Sequence, residues 1–269
     1  MTDDQYRDIF LAKHYINERW AVPLFINALK EQIKPIKDYL EQGNTLLIPL
    51  LVESISESPI QLAMQKSYVH TGLKQAKWQY SQIKKQEVKS ISFFYDKWQK
   101  LLTDFMLLFG GERITGITDT TKEQIRFLLA VTQDQNMTVY EAAKYILEQM
   151  NSRSFLFNRA LIIARTETTT ASNYAHTLAN EDSDIQTEKK WVSTRDKRTR
   201  LSHLVANGQK VGNKEPFLIG AVEMQYPGDA KAPAKEVVNC RCVVRFVAVL
   251  DANGMPMPKE DTRALSFLR

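Results

Sequence analysis

The chain holds two cysteines, Cys240 and Cys242, within Asn239-Cys240-Arg241-Cys242. A disulfide framework needs well-separated cysteines in a small secreted chain, and a dithiol redox motif needs C-x-x-C. This spacing is neither, which leaves buried free thiols or soft metal ligands. His203 adds an imidazole nitrogen. One nitrogen and two thiolates form a donor set that zinc accepts tetrahedrally, with Asp196, water or nothing as the fourth ligand. The alternative keeps the thiols as core residues and His203 as a hydrogen-bonded brace.

The densest polar group runs from Trp191 to His203, with Asn207-Gly208 behind it. Its cations Arg195, Lys197, Arg198 and Arg200, with Lys189 and Lys190 just before, are candidates for phosphate contacts with double-stranded DNA. Equally, Arg195, Asp196 and Arg198 can form an ion-pair lattice that braces their own loops, and Arg165 and Glu167 belong naturally to the same lattice. Charge bears on the choice. The chain carries 36 Lys+Arg against 31 Asp+Glu, a formal +5. Residues 1–182 hold 21 of each sign, so residues 183–269 hold 15 and 10, and 15 − 10 = +5 is the whole excess. Any acidic partner is therefore expected at the C-terminal third.

A catalytic alternative exists. Glu188-Lys189-Lys190 matches the E-x-K half of a metal-dependent nuclease acting on DNA, with Asp182 or Asp184 as metal partners. Three charged letters recur by chance in any basic segment, so the match is unspecific. No G-x-S-x-G, P-loop or dinucleotide fingerprint occurs.

The elements that must position these residues read as a helical N-terminal part and a small mixed part, an α+β fold. Phe25, Leu29, Ile33, Ile36 and Leu40 make a one-sided stripe that starts at Pro23, and Pro35 inside it predicts a kink or break. Ser58-Pro59-Ile60-Gln61 signals a helix start, with the helix reaching about residue 85. Phe94, Trp98, Leu101, Leu102, Phe105 and Phe109 mark another helix, read as core, that stops at Gly110-Gly111. An extended piece is expected over 113–118, then T-x-x-E capping boxes at Thr120 and Thr138. Val139, Ala142, Ala143, Ile146, Leu147 and Met150 follow at helical spacing. A long helix over about 154–180 holds Leu161, Ala164, Thr168, Ala171, Ala175 and Leu178 on one side. The polar stripe Arg165, Thr169, Ser172 and His176 reads as a packing or solvent face. Beyond residue 184, short β-prone runs at 190–193, 237–238 and 243–249 alternate with turn residues. Residues 251–269 read as a mobile tail.

The ordered set Ala164-Arg165-Thr166-Glu167, Trp191, Asp196-x-Arg198-Thr199-Arg200-x-x-His203, Asn207-Gly208, Pro227-Gly228-Asp229 and Asn239-Cys240-Arg241-Cys242 resembles the phage Mu F-like minor head proteins. The resemblance covers about residues 118–246. It divides the chain into a helical region 1–117, a head morphogenesis domain 118–246 and a tail 247–269. It implies a minor capsid protein of a tailed phage or prophage, packaged in the procapsid in few copies. The implied partners are the portal protein and capsid or scaffold proteins, with residues 1–117 as the docking part. ADP-ribosyltransferase domains accompany this family, but their ordered Arg, Ser-Thr-Ser and acid-x-Glu set is missing: Gln186-Thr187-Glu188 precedes Ser193-Thr194, and no E-x-E occurs. The stretch after Val249 is expected to be too short for such a domain.

A hydrophobic fraction of 43% with 25% charged residues suits a globular protein rather than a disordered one. The longest apolar run, 46–52, is far below the roughly 18 residues of a spanning helix. No leader is expected at the acidic start. The expected setting is the virion interior, with assembly in the bacterial host cytoplasm and no membrane partner.

Overall fold

The computed structural model describes residues 1–84 and 92–259. Helix α1 (Asp3–Leu40) is capped by Thr2, whose hydroxyl accepts from Gln5 N while the Gln5 side chain accepts from Thr2 N. It runs through Pro23 and Pro35 without a break. Both prolines face solvent, so the carbonyls they strip of partners can bond water, while Phe25, Leu29, Ile33, Ile36 and Leu40 stay buried beneath. Burial along one face outweighs the local cost, which is why the start expected at Pro23 and the break expected at Pro35 do not occur.

Helices α2 (Ile48–Glu53), α3 (Ser58–Lys84) and α4 (Ser92–Phe109) follow. On α4, Trp98, Leu102 and Phe105 are buried as the stripe requires, whereas Phe109 lies at the surface. Gly110 ends α4 and caps α5 (Gly111–Asp134). The extended piece expected at 113–118 is therefore helical, and Thr120 sits inside the helix, donating to Gly116 O instead of capping. At α6 (Val139–Met150) the Thr138–Glu141 capping box forms as predicted. A short π-helical turn (Ser154–Asn158) leads into α7 (Arg159–Glu181).

Helix α7 is the axis of the molecule. Helices α1 and α3 pack along it, and from Ala160 to Asn180 nearly every side is covered. The stripe of Arg165, Thr169, Ser172 and His176 is thus a packing face. The C-terminal part contributes β1 (Thr187–Val192), α8 (Leu201–Val205), β2 (Lys210–Val211), β3 (Phe217–Ile219), β4 (Val222–Met224), α9 (Ala234–Val237) and β5 (Val243–Ala248). An antiparallel sheet has the order β2-β1-β5, with Trp191 opposite Val244, and β3 and β4 pair as a hairpin. The 237–238 run expected as a strand ends α9 instead.

One hydrophobic cluster extends from Ala21 on α1 to Phe246 on β5. The helical and mixed parts therefore share a core, and residue 117 lies inside α5, in its second turn. Residues 251–259 are tied back rather than mobile: Gln186 N donates to Met257 O at 2.8 Å, and Lys259 N to Asp184 O at 2.8 Å. The last ten residues of the expected tail, and Lys85 at the expected end of α3, lie outside the described residues.

Candidate functional site

Helix α7 collects the scattered motif residues by offering polar side chains to two loops. On one side, Asn239 N donates to Thr166 Oγ1 (3.0 Å), and Thr169 Oγ1 donates to Cys240 O (2.6 Å). Asn173 Nδ2 donates to Cys242 O (3.1 Å), and Val244 N donates to Asn173 Oδ1 (2.8 Å). These bonds hold the 239–242 loop against the helix, with Asn239 in the left-handed region at φ 61°. Arg165 closes the arrangement. Its Nη1 donates to Asn239 Oδ1 (3.1 Å), while Nε and Nη2 form a fork on the two oxygens of Glu18 from α1, each at 2.9 Å.

On the other side, Thr170 Oγ1 donates to Gly228 O (2.8 Å). Arg113 of α5 reaches across to Glu167 Oε2 (3.0 Å), Thr170 Oγ1 (2.9 Å) and Gly228 O (3.3 Å), and Tyr68 OH also donates to Glu167 (2.7 Å). Gly228 has φ +82°, and a Cβ there would meet Thr170 Oγ1 at 2.9 Å. The Pro227-Gly228-Asp229 motif thus needs its glycine for conformation and for close approach. Asp229 fixes the loop by accepting from Gln225 N (2.7 Å) and Lys231 N (3.0 Å).

The arginine-rich turn is braced in the same manner. Arg241 donates to both oxygens of Asp196, at 2.5 and 2.9 Å, and Arg198 N donates to Asp196 Oδ1 at 2.9 Å. The Arg241 hydrogen bonds above all hold the Asp196 carboxyl well below its usual range. Asn207 Oδ1 accepts from Ser193 N (2.9 Å), which closes the other end of the turn. Arg165 and Glu167, expected in one lattice, serve two: Arg165 the 239–242 loop, Glu167 the 227–229 loop.

His203, on α8, faces both thiols. Its Nδ1 lies 3.6 Å from Cys240 Sγ and 3.5 Å from Cys242 Sγ, and its Nε2 lies 3.1 Å from Glu236 Oε2. All three are buried, and Trp191 packs edge-on against the imidazole. The hydrogen bond with Cys242, then those with His203, pull the Cys240 thiol far down against the effect of burial, while the same bond and burial push Cys242 far up. Among the described residues these three are the group of His, Cys, Asp or Glu that could hold a metal ion. Asp196 does not join it, being engaged by Arg241.

Residues 108–245, just over half of the chain, match the family described as Phage Mu protein F like protein. The chain belongs to that family. It is a phage head morphogenesis family, and the match encloses every residue of both lattices except Glu18 and Tyr68. NAD(+)–arginine ADP-ribosyltransferase EFV of Enterococcus faecalis is 32% identical over an alignment of 129 residues, with 45% of this chain and 24% of that protein covered. The chain thus spans about a quarter of that relative's length, and the activity in its name is said of that protein. No solved structure matches.

Within this Mu F-like chain the expected phosphate contacts divide. Lys189 points inward from β1 and is 2% exposed, with Nζ donating to Gln225 O (3.0 Å) and Oε1 (2.8 Å). Burial lowers its pKa to about 8. The strand alternation that buries Trp191 buries Lys189 as well, so it leaves the DNA set. Lys190 pairs with Asp3. Arg195, Lys197 and Arg198 are at the surface or partly so, and Arg200 donates to Val238 O (2.6 Å). The nuclease constellation does not assemble: Asp182 pairs with Lys97 and Trp98, Asp184 with Lys84, and Glu188 faces Lys210 at 3.6 Å.

Sequence reasoning missed Glu18, Arg113 and Glu236. Glu18 left a signal, because it follows Phe10 and His14 at i+4 steps on the buried face of α1, where a lone acid needs a partner. Arg113 and Glu236 left none. No described helix is long and apolar enough to cross a membrane.

Proposed function

We propose that this chain is a minor head protein carried inside the procapsid beside the portal protein, acting by binding rather than by catalysis. Assembly takes place in the bacterial host cytoplasm, and the mature location is the virion interior. The reading is supported above all by how the family's charged motif residues are used. Arg165 is neutralised by Glu18, Glu167 by Arg113, and Asp196 by Arg241. A side chain committed to a buried or bidentate pair holds a shape. The family's signature is then the signature of a braced unit that presents surfaces to partners.

The docking part in this reading is the helical region, and α1 carries a suitable surface. Ile9, Ile16 and Trp20 are exposed and recur at i, i+7 and i+11, a narrow stripe on one side of the helix. Truncating α1 is not a clean test, because its other side supplies Glu18 and core residues. Ile9→Asp with Ile16→Asp is cleaner, since Ile16 is 62% exposed. Co-expressed with portal, scaffold and major capsid proteins, the variant is expected to melt like wild type and to be lost from purified procapsids. Undiminished incorporation would refute docking through this stripe. The exposed cations of the 195–200 turn are the DNA-facing side in the same reading.

A further inference from the structure

The imidazole and the paired thiols take no part in the docking just described, and their geometry has its own logic. Tetrahedral zinc, with Zn–S of about 2.3 Å and Zn–N of about 2.0 Å, requires each nitrogen–sulfur separation to be about 3.5 Å. The two separations, 3.6 and 3.5 Å, both meet that requirement, and all three ligand atoms lie within 4.8 Å of one another.

The ring is also oriented for a metal. Glu236 Oε2 stands 3.1 Å from Nε2 and is itself steadied by Ser202 Oγ at 3.0 Å. With the ring proton on Nε2 and donated to Glu236, the lone pair on Nδ1 is aimed at the two sulfurs. A carboxylate behind a histidine is how zinc sites fix the ligating tautomer. Cys240 Sγ in addition accepts from Cys242 N at 3.4 Å, a bond that favours a thiolate there.

We propose that His203 Nδ1, Cys240 Sγ and Cys242 Sγ bind one zinc ion that clamps α8, at the end of the arginine-rich turn, to the loop entering β5. The fourth ligand is a water or the hydroxyl of Thr194, whose Oγ1 is buried beside Cys242 with no nitrogen or oxygen partner. The ligands are almost fully desolvated, so the ion's work is structural: it joins segments 37 residues apart in the chain. The inference stands apart from the head-protein reading, because zinc content does not bear on docking.

The test uses the full chain, purified under reducing conditions without chelators. Near-stoichiometric zinc is expected by elemental analysis. Cobalt added to the stripped protein is expected to give the visible bands of a tetrahedral thiolate site. Cys242→Ser is expected to lose both. A variant that keeps all three ligands guards against simple misfolding: Glu236→Gln is expected to retain the far-ultraviolet circular dichroism and weaken zinc binding about 10–100-fold. Zinc-free wild type whose cobalt titration shows no visible bands overturns the proposal, whether the thiols prove free, paired with the imidazole or oxidised to each other.

Discussion

Replacing Arg165 by methionine tests the lattice where it joins the two parts of the chain. Glu18 is 4% exposed, and the Arg165 fork is its ion partner apart from His14, 3.8 Å away. Burial, with the nearby Arg165 and Arg241 charges, holds the His14 imidazole neutral in the wild type, its pKa lowered to about 3, so Arg165 is the counter-charge there. Methionine fills much of the volume but leaves a carboxylate out of water with no cation. Removing one member of a buried pair costs about 3–5 kcal/mol. The side-chain Oδ1 of Asn239 also loses its Arg165 donor, while the Asn239 backbone stays left-handed. Against a total stability of about 5–15 kcal/mol this is a large fraction, and at about 2–4 °C per kcal/mol it lowers the melting temperature by roughly 10 °C. The double variant Glu18→Leu, Arg165→Met removes both charges and is expected to regain much of the loss. Urea denaturation of the four proteins gives the coupling directly. Strict additivity of the two single changes, or an Arg165→Met protein within about 1 kcal/mol of wild type, would refute the reasoning.

Other consequences follow from particular contacts. His176 is buried between Gln75 Oε1 and Val244 O, and burial lowers its pKa from 6.5 to about 4. The fold therefore favours the neutral ring. That contribution is complete above pH 6.5 and is lost as pH falls toward 4, at up to about 1.4 kcal/mol per pH unit. The stability gap between wild type and His176→Gln should narrow over that window in urea titrations, and a pH-independent gap would count against it. Gly228→Ala, with φ +82° and Thr170 in the way, should cost about 2–3 kcal/mol. Gly254→Ala, with φ +78° and open space, should cost about 1 kcal/mol, and equal losses by thermal melting would show that the crowding is immaterial. Retention on DNA should fall steeply with salt, with the slope reduced by about one for each of Arg198→Ala and Arg200→Ala. Salt-insensitive retention would remove DNA from the partners.

What was legible in the sequence was local. The Thr138 cap, the Gly110-Gly111 break and the stripe on α6 depend on residues within one or two turns, and each formed where expected, save that Val139 in the first turn of α6 is exposed. Misreadings arose where tertiary burial overrode local preference: the prolines of α1, the Thr120 box inside α5, and residues 237–238. Lys189 shows the same limit for function. Its type suggested a phosphate contact, but the inward side of β1 and the Gln225 acceptors decide its role. The motif residues were identifiable as a group because their types are unusual together. Their partners were not, since Glu18 and Arg165 are 147 residues apart and Arg113 and Glu167 are 54 apart.

Helix α7 explains how a polar signature can be a structural one. Threonines are poor interior helix residues because their hydroxyls compete for backbone groups. Here Thr166 and Thr168 donate to carbonyls one turn back, so the helix can be buried on nearly every side without orphaned hydroxyls. Thr169 and Thr170 also reach the carbonyls of Cys240 and Gly228, which makes the helix the template on which both loops are set. Arg165 and Glu167 lie on that same helix and face away to opposite lattices, so each needs a counter-charge from elsewhere. Arg113, near the start of the family match, answers Glu167 from inside it. Glu18 answers Arg165 from outside it, on a helix that the match does not reach. A family member that keeps the arginine but carries a different N-terminal region must therefore bring another acceptor to this point. One found with the arginine buried and no acid or carbonyl beside it would break the argument.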